Sequence, residues 1–151
     1  MTDLETLRAI EQVYVRYCEL IDGKAFDQLS DVFTQDLVHD FTQAYGPGLI
    51  LKGLPAVLAR LHHRMGAGSN CGTTHHNVGN FRIEVNGDTA KARVNYHAVH
   101  RGVREHDGAF YSMWGIYNDD LVRTPGGWRV AYRRYSISLR DGPVVTSAPG
   151  D

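Results

Sequence analysis

Apolar residues recur at helical spacing along the N-terminal stretch, at Leu4, Leu7, Ile10, Tyr14, Tyr17 and Ile21, with Val13 and Leu20 widening the stripe. The period predicts a helix over residues 3–22, with Asp3 as its N-cap and Gly23 just past its end. Phe26, Leu29, Val32 and Phe33 fit one face of a second, short helix. Residues 37–41 read as a short strand, and Gly46-Pro47-Gly48 as a turn into Leu49-Ile50-Leu51. Beyond Gly53 the helical period returns in Leu54, Val57, Leu58, Leu61 and Met65, with Pro55 near the first position, where proline is tolerated.

The remainder alternates with a period of two. Phe81, Ile83 and Val85 share one face of a strand that ends at Asn86-Gly87, a preferred two-residue hairpin turn. Further strands follow over residues 90–103, 109–123 and 128–139, separated by Glu105-His106-Asp107-Gly108 and Thr124-Pro125-Gly126-Gly127. In the last of them Trp128, Val130 and Tyr132 share one parity, whereas Tyr135, Ile137 and Leu139 share the other, so the face changes at Arg133-Arg134. A change of face within one strand requires a bulge or bend, and sheets use these to curve around a cavity. Helices first and a curved, mostly antiparallel sheet afterwards predict an α+β cone whose hollow opens toward the helices. Residues 1–141 are expected to form one domain, and residues 142–151 a loose tail.

Composition narrows the possible roles. A chain of 151 residues, 42% hydrophobic, can bury one substantial core. Sixteen basic residues against seventeen acidic ones leave no footprint for nucleic acid. No apolar stretch approaches the length of a membrane span. Cys18 and Cys71 belong to no CxxC pair, which fits a reducing, cytoplasmic setting. The glycine-rich run at residues 66–72 follows a helix and precedes a strand, the reverse of the order in a phosphate-binding loop.

Two elements carry candidate chemistry. Asp22 ends the first helix, where the macrodipole disfavours a carboxylate; either Asp22-Gly23 is simple turn chemistry or something else favours the charge there. His75 and His76 precede the strand of Phe81, and only one of two neighbours on a strand can face the interior. Parity counted back from Phe81 does not choose between them, because Val78-Gly79-Asn80 could hold an irregularity. Of eight histidines none falls in an HExxH or Cys/His cluster, and His97 and His100 point to opposite faces, which argues against a metal. Ala92, Val94, Tyr96, Ala98 and His100 share the apolar face of their strand, so His100 joins the candidate pocket. Tyr14, Tyr17, His39, Tyr117 and one of Arg133 and Arg134 complete its polar lining.

The succession of Tyr17 and Asp22, then Phe26-Asp27, Leu29 and Val32-Phe33-Thr34, then Thr74, His76, Val78 and Asn80, and finally Leu121-Val122-Arg123-Thr124 with Gly126-Gly127-Trp128, resembles the SnoaL-like branch of the NTF2-like superfamily. The likeness spans about residues 3–140. Within the branch the chain looks like scytalone dehydratase and hexachlorocyclohexane dehydrochlorinase, whose paired Asp and His match Asp22 and His76. The resemblance implies an NTF2-like cone that acts as a lyase or isomerase, without a cofactor or metal, on a small hydrophobic cyclic molecule. His76 would abstract a carbon-bound proton, Asp22 would orient it, and His100 would serve as the acidic partner in a β-elimination of water. Tyr14, Tyr17, His39, Phe41, Tyr117 and Arg133 would contact substrate. Phe41 stands near a tyrosine position of scytalone dehydratase, and Gly115 and Tyr117 near its Ser and Asn, which argues against scytalone itself. A polyketide-type cyclase and a non-catalytic subunit like the β chains of ring-hydroxylating dioxygenases share the pattern. Neither a nucleic-acid nor a membrane partner is expected. Exposed edges and aromatic outer faces suggest a homo-oligomer, dimer or trimer.

Overall fold

A computed structural model describes residues 3–151. Helix α1 (Leu4–Asp22) starts where the Asp3 side chain accepts the Thr6 N–H at 2.6 Å. It buries Ile10, Tyr14, Tyr17 and Ile21 and ends where the Gly23 N–H donates to the Glu19 carbonyl. A 3-10 helix (Phe26–Asp31) follows, shorter than the helix expected there, and Phe33 opens strand β1 (Phe33–Asp40) instead. A single helical turn, α2 (Thr42–Tyr45), a short β2 (Ile50–Lys52) and helix α3 (Leu54–Met65) lead to four long strands. These are β3 (Cys71–Asn86), β4 (Thr89–Gly102), β5 (Phe110–Thr124) and β6 (Gly127–Asp141).

All six strands form one sheet in the order β2-β1-β6-β5-β4-β3. Every pairing is antiparallel except β1 with β6. The α+β architecture expected from the pattern is what the chain adopts, with the core between the helices and the inner face of the sheet. No helix among the described residues is long and apolar enough to cross a membrane.

Two bulges set which side chains face inward. On β3, Gly79 pairs with Asn95 and Arg82 with Arg93, so the strand carries one residue more than its partner. Asn80, at φ 53°, holds the kink in the left-handed region that asparagine tolerates better than most residues. Thr74, His76 and Val78 therefore share the inner face with Phe81, Ile83 and Val85. On β6, Tyr132 pairs with Asp120 but Val130 with Leu121, which leaves Ala131 as the extra residue. The change of face thus falls at Ala131 rather than at Arg133-Arg134. Tyr132 turns outward, where its hydroxyl donates to Asp40 at 2.9 Å, Arg133 turns inward, and Arg134 is exposed.

Gly115 marks a close approach. Opposite it on β4 lies Tyr96, whose ring stacks on Tyr117 at 4.4 Å; a Cβ on Gly115 would come within 2.6 Å of the Tyr96 hydroxyl and 1.9 Å of the Ser136 carbonyl.

The C-terminal segment, expected to be loose, is docked. Val145 is fully buried and Thr146 nearly so. The Asn70 N–H donates to the Ser147 carbonyl at 2.8 Å, and the Asn70 side-chain amide to the Ser147 hydroxyl at 3.0 Å. One apolar anchor and a buried asparagine outweigh the small, proline-containing composition that suggested disorder.

Candidate active site

The end of α1 and the first half of β3 meet at the Asp22 carboxylate. One oxygen accepts the Thr74 hydroxyl at 2.8 Å and the His76 Nδ1–H at 2.7 Å, and the other accepts the His76 backbone N–H at 2.9 Å. These donors supply what the helix C-terminus withholds, so Asp22 is more than a turn residue. Burial alone would raise its pKa, but the bonds from the His76 ring and backbone, the charge of His76 and Thr74 hold it below the ordinary value. A carboxylate only accepts, so Nδ1 carries the hydrogen, and Nε2 is the ring nitrogen that Asp22 leaves free. The His76 side chain is 6% exposed and lines the cavity, whereas the neighbouring His75 is exposed on the other face.

Beside the dyad lies a narrow, partly enclosed cavity, with about 710 Å3 of empty space when the open solvent at its mouth is counted. Tyr17 and Ile21 of α1, Phe33 and His39 of β1, Met113 and Tyr117 of β5, and Tyr135 of β6 form much of its wall. Phe41 also lines it and stacks on His39, with ring centroids 3.9 Å apart. Burial, followed by the charges of Arg133 and Arg60, pushes the His39 pKa well down, so its ring is neutral.

His100 stands edge-on to His76 at 5.6 Å. Its Nδ1–H donates to the Tyr111 carbonyl at 3.1 Å. Burial, then the charge of His76, pushes its pKa down to about 4. A neutral ring with Nδ1 donating offers an accepting Nε2, which does not suit the acidic role expected of it.

Two residues expected to touch substrate lie behind the wall. Arg133 is fully buried and grips Asp119 through Nε at 3.0 Å and Nη2 at 2.8 Å, and Tyr14 donates to the same carboxylate at 2.8 Å. Neither Tyr14 nor Arg133 lines the cavity. The guanidinium lies 3.9 Å from the Tyr117 ring centroid and 4.6 Å from that of Tyr17, so these rings screen it from the hollow. Asp119 was not among the expected site residues; it shares the buried face of β5 with Tyr111, Met113, Tyr117 and Leu121, and that parity is the signal that could have found it.

Arg60 and Arg64 of α3, Tyr45 and Tyr135, and Thr146 of the docked segment also line the cavity and were not anticipated. The spacing of Arg60 and Arg64, beside Val57 and Leu61 on one helical face, is the signal that could have found the arginines. Among the described residues no group of three or more His, Cys, Asp or Glu is arranged to hold a metal ion.

Comparison with known proteins agrees with this architecture. The SnoaL-like domain profile matches residues 2–134. Uncharacterised proteins of Mycobacterium tuberculosis and Mycobacterium bovis are 37% identical over 126 residues, which cover 82% of this chain and 80% of theirs. A candidate scytalone dehydratase from Novosphingobium aromaticivorans superposes with a TM-score of 0.80 at 24% identity, covering 98% of this chain and 95% of that one. A hexachlorocyclohexane dehydrochlorinase from Novosphingobium barchaimii does so with a TM-score of 0.74 at 15% identity, covering 98% and 97%. At these identities the two structures speak to the fold alone. With the profile covering most of its length and an NTF2-like cone as its fold, the chain belongs to the SnoaL-like family.

Proposed function

We propose that the chain is a cofactor-independent lyase that removes water from a small cyclic molecule. The observation that carries this reading is the bond from His76 Nδ1 to Asp22 on a residue that lines the cavity, because it leaves Nε2 as the nitrogen available to take a proton when the ring is neutral. His76 takes a carbon-bound proton, the C–H electron pair becomes the new double bond, and the C–O bond on the adjacent carbon breaks. Asp22 stabilises the imidazolium that forms. The departing hydroxide then takes the proton from that imidazolium, since His100 is held as an acceptor and has none to give. His100 instead receives a hydrogen bond from a substrate hydroxyl, and Tyr17 and Tyr117 pack against the ring. The cone of this chain also occurs in a candidate dehydratase and a dehydrochlorinase, so the fold is compatible with this reaction class.

A mass-spectrometric screen of cyclic hydroxyketones and hydroxy acids for loss of water tests the reading. On a compound that turns over, His76→Ala and Asp22→Asn are each expected to lower kcat by about a thousandfold or more. Full turnover by either variant would exclude the dyad mechanism.

A further inference from the structure

Among the described residues, the cavity wall carries two arginines and no carboxylate. Arg60 and Arg64 lie one turn apart on α3 and both line the hollow, whereas no Asp or Glu does. Among the described residues, no carboxylate oxygen lies within 4.0 Å of either guanidinium. Arg64 makes one long hydrogen bond, to the Thr146 hydroxyl at 3.4 Å. Asp151, whose ionisation Arg64 assists, is already engaged by His63 at 3.0 Å and the Ala148 N–H at 2.9 Å.

Arg60 is held flat. Its guanidinium lies over the Phe41 ring at 5.1 Å and the Tyr45 ring at 5.4 Å, and Phe41 rests in turn on His39. The guanidinium N–H donors form the planar fork that matches a carboxylate. Burial, then the charge of Arg64, lowers the Arg60 pKa, so the two cations disfavour each other without a counter-charge. Cation–π contact accounts for Arg60 as a wall residue, but not for a second cation beside it on the same wall.

We propose that the substrate is a cyclic carboxylic acid, held as its carboxylate by Arg60 and Arg64 while its ring lies on the aromatic wall toward His76. The inference rests on the lyase reading only for the position of the reacting carbon; the anion subsite stands on the arginines alone.

Calorimetric titration with benzoate and cyclohexanecarboxylate, against benzamide and cyclohexanecarboxamide, tests it. The acids are expected to bind at least about tenfold more tightly than the amides, with the preference shrinking as salt rises. In the double variant Arg60→Gln, Arg64→Gln the preference of acid over amide disappears. His76→Ala keeps the preference, so failure of the lyase reading would be seen separately. Should the double variant not fold, Arg60→Lys, which keeps the charge and loses the fork, is expected to weaken acid binding roughly threefold or more. Equal binding of acids and amides, a preference that survives the double variant, or no acid binding at about 10 mM would overturn the proposal.

Discussion

Without the extra residue at Asn80, the inner face of β3 would run through residues 81, 79, 77 and 75, and His75 rather than His76 would meet Asp22. Deleting Asn80 is therefore expected to cost as much turnover as His76→Ala, whereas Asn80→Gly, which suits the positive φ, should retain it. Asn80→Val should cost about 1–2 kcal/mol by chemical denaturation, because a β-branched residue resists that backbone region. The Arg133–Asp119 pair makes a second expectation at this scale. Both side chains are fully buried, so Asp119→Ala leaves an unpaired cation among aromatic rings and should destabilise by about 3–5 kcal/mol in the same measurement. Residue types were legible in the sequence and their facing was not. Asp22, His76, His100, Tyr17, Tyr117, His39 and Phe41 all reach the site, yet the choice between His75 and His76, or Arg133 and Arg134, hangs on bulges. A bulge adds one residue to one strand, and its signature lies in the partner strand's register, which periodicity along a single chain does not contain.

The elements themselves were read well wherever an amphipathic pattern was long. Helices α1 and α3 and the four long strands follow the apolar spacing closely, and β3 begins earlier than expected because the inward side chains of its first half include the polar Thr74 and His76, which bond Asp22. The parallel pairing of β1 with β6 had no local signal, since it joins strands from opposite ends of the chain. The C-terminal segment shows the same limit: its docking depends on Asn70, which the sequence places in a glycine-rich loop. Removing residues 142–151 would expose the surface under Val145 and strip partners from a buried asparagine. A loss of about 2–4 kcal/mol is expected, read as a lower denaturation midpoint and as faster hydrogen exchange at the Asn70 amide.

For the molecule as a whole, the buried neutral histidines make folding sensitive to acid. His100 has a folded pKa of about 4 against an ordinary 6.5, so between those values the unfolded chain binds a proton that the folded one refuses. Stability from this group is complete above about pH 6.5 and is lost as pH falls toward 4, and His39 acts in the same direction. The melting temperature should fall from pH 7 to pH 5. In His100→Asn the loss should be shallower, by up to about 1.4 kcal/mol per pH unit. Thr146 belongs both to the docked C-terminal segment and to the cavity wall. By reciprocity, whatever factor the seated segment adds to a ligand's affinity, an occupied cavity adds to the seating of the segment. A fluorophore attached through Pro149→Cys, at an exposed position of that segment, would then report occupancy for any compound, before a reaction is known; an affinity tag fused beyond Asp151 would perturb the same equilibrium.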